Sequence, residues 1–382
     1  MKKFQQRTKV QYGIDSVKYL NEITEKRVYI VTDEFMIKFG LVEKATEILD
    51  SNKIEYKIFD KVKPDPSLDL IKKGLKNMME YRPDLLLAIG GGSSIDAAKA
   101  MLYFNIKTAE EIVDRDNINK PTFIAIPTTS GTGSEVTSYS VITDKEKNLK
   151  IPLVDDIMVP DVAIIDCEFT KSVPPSVTGD TGMDVLTHAL EAYVAKDASD
   201  YTDVYSEKAI KNVFSYLIRA YDDGNDMEAR EKLHFASCMA GIAFNNAGLG
   251  INHSLAHSLG AKFKLSHGRA NAILLPYVIE YNSGIANNII DNITKKYSTI
   301  SKILGLPSSN CREGVISLIE AIKVINKRLN IPICIKEVGI DRDEFEESIE
   351  DISSKAIEDI CTLGNPRSVT KKELKGILKR AY

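Results

Sequence analysis

The stretch DLLLAIGGGSSIDAAKA, residues 84–100, decides the fold class of this chain. An apolar, strand-like run ends at Gly90 and continues through two more glycines and two serines into a segment of helical character. Glycines let backbone N–H groups approach a phosphate closely, and the positive end of a helix attracts the anion. The stretch therefore predicts a strand, a loop suited to a dinucleotide pyrophosphate, and a helix. A tight turn with Ser93 or Ser94 as the helix N-cap is the alternative that these residues leave open.

Further strand-like runs alternate with helix-like segments on both sides of this stretch. The runs are RVYIVTD (27–33), IEYKIFD (54–60), TFIAIPT (122–128) and VAIID (162–166). Such alternation implies βαβ units and a parallel sheet. From about residue 176 the strand-like runs disappear and helical periodicity takes over, next to the dipeptide Pro174-Pro175. We therefore predict an α/β dinucleotide-binding domain over residues 1–175 and an all-α metal-binding and catalytic domain over residues 176–382.

Composition excludes several classes of protein. The 382 residues carry 50 Lys and Arg against 54 Asp and Glu, so the net charge is 50 minus 54, or −4, which argues against a nucleic-acid or membrane-surface partner. The five cysteines show no CxxC spacing, which is typical of a reducing compartment rather than of a disulfide framework. No apolar stretch approaches the length that spans a bilayer. We expect a cytoplasmic protein with no membrane partner.

A second loop, PTTSGTGSEVTS at residues 127–138, also follows a strand. Ligands of open α/β sheets bind outside the carboxyl ends of the strands, so both loops are expected to line one cleft. Neither loop has the GxGxxG fingerprint of an ordinary Rossmann domain. Asp33 ends a strand, where an acid often holds a ribose 2′-hydroxyl and favours NAD over NADP. A lone acid at that place is more often a solvated strand-end residue.

The histidines are clustered, because four of the five fall within 80 residues of the helical half. They are His188, His253, His257 and His267. Asp184 precedes His188 by four residues, and His253 precedes His257 by four, so each pair shares a helix face. Three imidazoles and one carboxylate suit iron(II), zinc or a similar ion. Spacing does not decide which of these residues are the ligands, and we expect the isolated His234 to be structural.

Taken together, these motifs resemble those of the iron-containing (group III) alcohol dehydrogenases. GGGSSIDAAK, PTTSGTGSEVT, TGMDVLTHALEAY, GLGINHSLAHSLG and the late NPR occur in that family's order, and the resemblance covers essentially the whole chain. It implies a dehydroquinate-synthase-like fold, in which an α/β dinucleotide-binding domain is followed by a helical metal-binding domain. It implies interconversion of a short-chain aldehyde and a primary alcohol by hydride transfer with NAD(H). Within the family, the chain is most similar to the 1-propanol dehydrogenases of propanediol-utilisation microcompartments.

The resemblance also implies roles for individual residues. Fe²⁺, or Zn²⁺ in its place, is bound by Asp184, His188, His253 and His267. His257 then remains free to act as the proton relay at the substrate. The dinucleotide site is formed by Asp33 at the ribose, by Gly91, Gly92 and Ser93 at the pyrophosphate, and by Thr128, Thr129 and Lys150. The implied partners are a small aldehyde or alcohol, further copies of the chain in a homodimer or larger assembly, and a bacterial microcompartment.

The chain departs from the family pattern at a few positions. Ser266 and Ser258 stand where the family commonly has proline, and Gly179-Asp180 stands where small apolar residues are usual. None of these changes removes a ligand. The alternatives on the same fold are a zinc polyol dehydrogenase and a non-redox, dehydroquinate-synthase-like lyase. A catalytically silent scaffold is the alternative from another class, and the intact ligand set argues against it.

Overall fold

The computed structural model describes residues 3–111, 120–146 and 149–382. The chain divides into two compact units, Gln6–Val173 and Pro174–Tyr382, and the described residues before Gln6 belong with the second. The first unit is an α/β unit built on a parallel sheet and the second, in its described residues, is helical, so the predicted fold class is confirmed. The functional division into dinucleotide-binding residues 1–175 and metal-binding residues 176–382 stays a prediction.

The described strands of the α/β unit form a six-stranded parallel sheet and a two-stranded antiparallel hairpin. The sheet has the order β1-β8-β5-β4-β2-β3 and the hairpin pairs β6 with β7. The strands are β1 (Lys9–Tyr12), β2 (Arg27–Asp33), β3 (Glu55–Val62), β4 (Leu85–Gly90), β5 (Thr122–Pro127), β6 (Tyr139–Asp144), β7 (Leu149–Val154) and β8 (Val162–Ile165). The helices are α1 (Glu34–Lys38), α2 (Leu41–Ser51), α3 (Leu68–Tyr81) and α4 (Gly92–Glu110).

The central strand β4 is buried on both faces, which explains its uninterrupted apolar sequence. Leu85 and Leu87 pack into the core on the α2 side, whereas Leu86 and Ala88 pack against α3 and α4. This alternation follows from the two-residue period of a strand. Helices on both faces leave the carboxyl edge of the sheet as the place for the loops that carry Asp33, Gly90 and Pro127.

Nine helices fill the described part of the second unit. They are α5 (Pro175–Val194), α6 (Asp200–Asp222), α7 (Met227–Ala247), α8 (Ile251–Phe263), α9 (His267–Ser283), α10 (Asn292–Ile303), α11 (Cys311–Arg328), α12 (Arg342–Glu358) and α13 (Lys371–Ala381). Pro175 is the first residue of α5, a position where the missing N–H costs nothing. Nearly every residue of α5 from Thr178 onward is buried, so this helix is the centre of the unit's core. Among the described residues, no helix is both long and apolar enough to cross a bilayer.

Candidate functional site

The carboxyl ends of β2, β4 and β5, which are neighbours in the sheet, bring the predicted dinucleotide loops together. Ser94 Oγ donates to Asp33 Oδ2 at 3.4 Å, and the Thr128 N–H donates to the Gly90 carbonyl at 3.0 Å. The other Asp33 oxygen accepts the N–H groups of Phe35 and Met36 and so caps α1. Asp33 thus presents its carboxylate beside the glycine-rich loop, and its contact with a ribose stays a prediction.

The glycine-rich loop leaves no room for a side chain at Gly90 or Gly92. Gly90 has a φ of +152°, and a Cβ on it would lie 2.5 Å from Ser94 Oγ. A Cβ on Gly92 would lie 2.6 Å from Thr132 Cγ2. Gly91 is the N-cap of α4 and supplies no side-chain cap, so the alternative of a serine N-cap is wrong. The start of α4 therefore offers its backbone and the positive end of its dipole to an anion.

The remaining predicted dinucleotide residues lie in two places. Thr128 Oγ1 is buried and has no hydrogen-bond partner among the described residues, and Thr129 Oγ1 lies 3.3 Å from where a Gly91 Cβ would be. Lys150 lies on β7, where its Nζ is 2.7 Å from Asp65 Oδ1. Thr128 and Thr129 therefore adjoin the glycine-rich loop, whereas Lys150 is ion-paired with Asp65, which follows β3.

A buried charge network, which our sequence analysis missed, supports the second loop. Asp96 accepts the Ser134 hydroxyl at 2.7 Å and the Val141 N–H at 3.0 Å. Lys99, one turn further along α4, donates to the Tyr139 carbonyl at 2.8 Å. Burial lowers the pKa of Lys99 to about 8, partly offset by the Asp96 charge. The i, i+3 pair of Asp96 and Lys99 in a largely apolar helix was the available sequence signal.

In the helical unit, three helices bring one carboxylate and three imidazoles to a single point. We call these residues the first donor set: Asp184 and His188 on α5, His253 on α8 and His267 on α9. Their ligand atoms all lie within 4.8 Å of one another. Asp184 Oδ1 lies 3.6 Å from His253 Nε2 and 3.4 Å from His267 Nε2. The His188 and His253 rings are stacked, with centroids 4.5 Å apart.

Electrostatics keep the carboxylate of the first donor set ionised. Burial alone would raise the pKa of Asp184, but the neighbouring His267, His188 and His253 hold it well below its usual value. Burial alone would lower the pKa of His253, but Glu191 and Asp184 raise it to about 9.

Glu191 fixes the orientation of His253. It lies on α5 seven residues after Asp184 and therefore on the same helix face. Glu191 Oε2 contacts His253 Nδ1 at 2.5 Å, and Oε1 accepts the Asn252 N–H at 2.7 Å. This contact turns His253 Nε2, which is buried and has no hydrogen bond among the described residues, toward Asp184. At metal sites, a histidine ligand commonly donates its other ring N–H to a carboxylate.

We expect Glu191→Gln to weaken binding of a divalent ion by about 10- to 100-fold, because the amide lacks the negative charge and has only one acceptor oxygen. With that oxygen on the Asn252 N–H, the helix start should remain intact, but the amide NH2 then faces His253 Nδ1 and disfavours the tautomer whose Nε2 can bind an ion. Chelator competition with Zn²⁺ on the metal-free protein measures the change. Glu207→Gln is the matched control, since Glu207 accepts a hydrogen bond from Tyr193 OH and belongs to no donor set. Equal affinities for wild type and Glu191→Gln would contradict this role.

The start of α9 is fixed beside Asp184 by polar contacts. Asn271 Nδ2 donates to Asp184 Oδ1 at 2.7 Å and lies 3.1 Å from His267 Nε2. The Ser266 hydroxyl donates to Asp180 Oδ2 at 2.5 Å, and Arg269 Nε donates to Asp180 Oδ1 at 3.2 Å. Two of the departures noted in the sequence, Ser266 and Asp180, are therefore hydrogen-bonded to each other and hold α9 against α5.

His257 is adjacent to the first donor set without belonging to it. Its ring stacks on that of His267, with centroids 5.2 Å apart. Its Nδ1 contacts Asp359 Oδ2 at 2.8 Å, and its Nε2 has no hydrogen bond among the described residues. The His257 side chain is 34% exposed, whereas that of His253 is 2% exposed. The structure thus separates the two histidines that spacing alone could not distinguish.

Comparison with known protein families covers both units. The model described as "Iron-containing alcohol dehydrogenase" matches residues 7–167, and the one described as "Fe-containing alcohol dehydrogenase family, C-terminal" matches residues 178–382. The chain belongs to the iron-containing alcohol dehydrogenase family. It is therefore an oxidoreductase of alcohols and aldehydes, which confirms the enzyme class expected from the motifs.

Individual members of the iron-containing alcohol dehydrogenase family match along their full length. The chain is 43% identical to the NADPH-dependent butanol dehydrogenase of Clostridium saccharobutylicum, covering 98% of this chain and 96% of the relative. It is 39% identical to the 1-propanol dehydrogenase PduQ of Citrobacter freundii, covering 99% of each. A solved 1,3-propanediol oxidoreductase superposes with a TM-score of 0.91 at 31% identity, covering 100% of both chains.

The first donor set fits the divalent ion that this family is named for. Two donors bound to one ion at about 2.1 Å lie at most about 4.2 Å apart, close to the spread seen here. The buried His253 Nε2 lacks a hydrogen bond among the described residues, as a nitrogen reserved for an ion would. Sequence reasoning missed Glu191, Asn271 and Asp359 because their roles depend on contacts distant in sequence.

Proposed function

We propose that the protein interconverts short-chain aldehydes and primary alcohols, of the propionaldehyde and 1-propanol type, by hydride transfer with NAD(H). The resident ion in this proposal is Fe²⁺, with Zn²⁺ as the substitute. The observation that carries the proposal is the convergence of one carboxylate and three imidazoles in the first donor set, with His257 beside the set and outside it.

The roles within the first donor set follow from charge. Asp184, His188, His253 and His267 would hold the ion with one negative charge and three neutral rings, which leaves the centre positive. Bound there, the ion would supply Lewis-acid polarisation of the substrate oxygen. Glu191 and Asn271 hold the ligands in place through hydrogen bonds to His253 and Asp184.

His257 is proposed as the proton relay. The neutral imidazole donates its Nδ1–H to Asp359 Oδ2, which places the lone pair on Nε2. His257 Nε2 can then accept the hydroxyl proton of the alcohol while the hydride leaves the carbinol carbon for the nicotinamide ring. In aldehyde reduction the imidazolium returns that proton. Asp359 acts on this step as a positioning residue, because it selects the tautomer.

The dinucleotide is proposed to bind at the carboxyl edge of the parallel sheet. Gly91, Gly92 and Ser93 would bind the pyrophosphate at the start of α4, where no side chain caps the helix. Thr128 would donate its unpartnered hydroxyl, and Thr129 lies beside it. Lys150, whose Nζ also pairs with Asp65, would line the same site.

Asp33 is proposed to select NAD(H) over NADP(H). Replacing it by asparagine keeps the cap on α1 and removes the charge that would face a 2′-phosphate. Two unit charges 4 Å apart repel by about 1 kcal/mol in water and about 4 kcal/mol at a protein surface. We therefore expect Asp33→Asn to shift the ratio of kcat/KM for NADH and NADPH toward NADPH by about 10- to 100-fold. Asp69→Asn, on an exposed carboxylate of α3, is the control, and an unchanged ratio in Asp33→Asn would contradict the assignment.

A panel of straight-chain aldehydes tests the substrate class. The iron-loaded enzyme should oxidise NADH with propionaldehyde at a higher kcat/KM than with branched or polyhydroxylated aldehydes. A preference for polyol substrates such as glycerol would favour a polyol dehydrogenase. NAD binding without turnover of any alcohol or aldehyde would favour a non-redox reaction.

Assembly and location are further parts of the proposal. Similarity to 1-propanol dehydrogenases supports a location in the cytoplasm or inside a bacterial microcompartment. A homodimer or larger assembly is proposed from the family resemblance alone. Sedimentation of the purified protein tests the assembly, and a mass equal to one chain of 42.4 kDa would contradict it.

A further inference from the structure

A second group of metal-ligating side chains lies beside the first. We call His257, Asp359 and Cys361 the second donor set, and their ligand atoms lie within 4.8 Å of one another. The set shares no residue with the first donor set. It combines one imidazole, one carboxylate and one thiol, which is a mixture that zinc sites use.

The backbone holds the second donor set in place. Asp359 ends α12 and caps the following short helical turn, accepting the Cys361 N–H at 2.8 Å. The same carboxylate contacts His257 Nδ1 at 2.8 Å. Ser254 Oγ, one turn before His257 on α8, lies 3.5 Å from Asp359 Oδ1 and accepts the Thr362 hydroxyl. Hydrogen bonds therefore hold the His257, Asp359 and Cys361 side chains close together without an ion.

The second donor set is less buried than the first. All three of its residues are partly exposed, whereas three of the four residues in the first donor set are buried. The His257 side chain is 34% exposed and that of Asp359 is 19% exposed, whereas the Cys361 thiol is largely buried.

We propose that the second donor set binds Zn²⁺ through His257 Nδ1, an Asp359 carboxylate oxygen and Cys361 Sγ, and that this binding inhibits the enzyme. The thiol proton leaves to solvent, and the Nδ1 proton of His257 is replaced by the ion, so no oxidation or reduction takes place. A carboxylate and a thiolate together neutralise the ion's charge, and a water completes the tetrahedron. The thiolate favours Zn²⁺ over Fe²⁺, because zinc accepts softer ligands.

Zinc binding would inhibit the enzyme because it changes the tautomer of His257. This consequence rests on the proposed function, in which His257 Nε2 is the proton acceptor. A ring whose Nδ1 is bound to an ion can be neutral only with its remaining proton on Nε2. His257 Nε2 then cannot accept the proton of the alcohol. Burial and the Asp359 charge raise the pKa of the Cys361 thiol well above its usual value.

Cobalt spectroscopy tests the site independently of activity. The first donor set has no sulfur ligand, so a near-ultraviolet thiolate-to-cobalt charge-transfer band can arise only elsewhere. We expect the zinc- or iron-loaded enzyme to bind one further Co²⁺ per chain with such a band. The band should be lost in Cys361→Ser and Cys361→Ala and retained in Cys311→Ser, whose cysteine is also partly exposed. Absence of the band in wild type would overturn the site.

Inhibition kinetics test the consequence. The Zn²⁺ concentration that halves the activity of the iron-loaded enzyme should rise by roughly tenfold or more in Cys361→Ser, since one of three protein ligands is lost. An unchanged concentration would overturn the inhibitory role and place the effect at the first donor set, where Zn²⁺ would replace iron. Failure of the proposed function is distinguishable, because the iron-loaded wild type would then show no aldehyde reduction before any Zn²⁺ is added.

Discussion

His267→Ala is expected to lose the divalent ion and to lower kcat/KM for aldehyde reduction by about a thousandfold. His267 Nε2 lies 3.4 Å from Asp184 Oδ1 and is one of four donors, so its removal opens the site. Polarisation of the substrate oxygen by a bound ion lowers the activation free energy by several kcal/mol. A change of about 4 kcal/mol corresponds to a thousandfold change in rate. Metal content after dialysis against a chelator, together with steady-state kinetics, measures both effects.

The variant should keep its fold, because the His267 side chain is 40% exposed and contributes little to the core. A thermal unfolding midpoint close to that of wild type checks this point. If His267→Ala retained one equivalent of ion per chain with normal activity, His267 would not be a ligand.

His257→Ala is expected to retain the ion and to lower kcat by about 10²- to 10⁴-fold, which is the usual contribution of a general acid or base. His257 lies outside the first donor set, and its Nε2 has no hydrogen bond among the described residues. Truncation removes the proton relay without removing a ligand. The same two measurements apply, metal content and steady-state kinetics.

The contrast between the two variants is decisive because the two rings stack on each other, with centroids 5.2 Å apart, and only His267 belongs to the first donor set. If both histidines had only a structural role, the two variants would lose similar amounts of metal and of activity. Equal loss of metal in His257→Ala and His267→Ala would overturn the division between relay and ligand.

Local patterns predicted most of the α/β unit, because long apolar runs and glycine turns are properties of contiguous residues. Each of the five predicted strand runs overlaps a strand of the parallel sheet. The strand β1 was missed because its four residues, Lys9–Tyr12, have no fully buried face. The β6–β7 hairpin was missed because its pairing, Tyr139 with Val154 at the far end, depends on residues outside the loop motif.

The candidate metal site was predictable only in part from the residues. The i, i+4 spacing correctly placed Asp184 and His188 on one face of α5. The same spacing could not rank His253 and His257, because both lie on one face of α8. What separates them is contact with Glu191 in one case and with Asp359 in the other, and each partner is more than 60 residues away.

The central claim is that aldehyde reduction depends on a divalent ion in the first donor set. Removing the metal and adding it back tests this claim most directly. Enzyme freed of metal is compared with the same enzyme reloaded anaerobically with Fe²⁺ or Zn²⁺, and NADH oxidation is followed with propionaldehyde. We predict no turnover by the stripped enzyme and recovery with Fe²⁺. Absence of activity with either ion, despite tight binding of NAD, would contradict the account and favour a non-redox member of the fold.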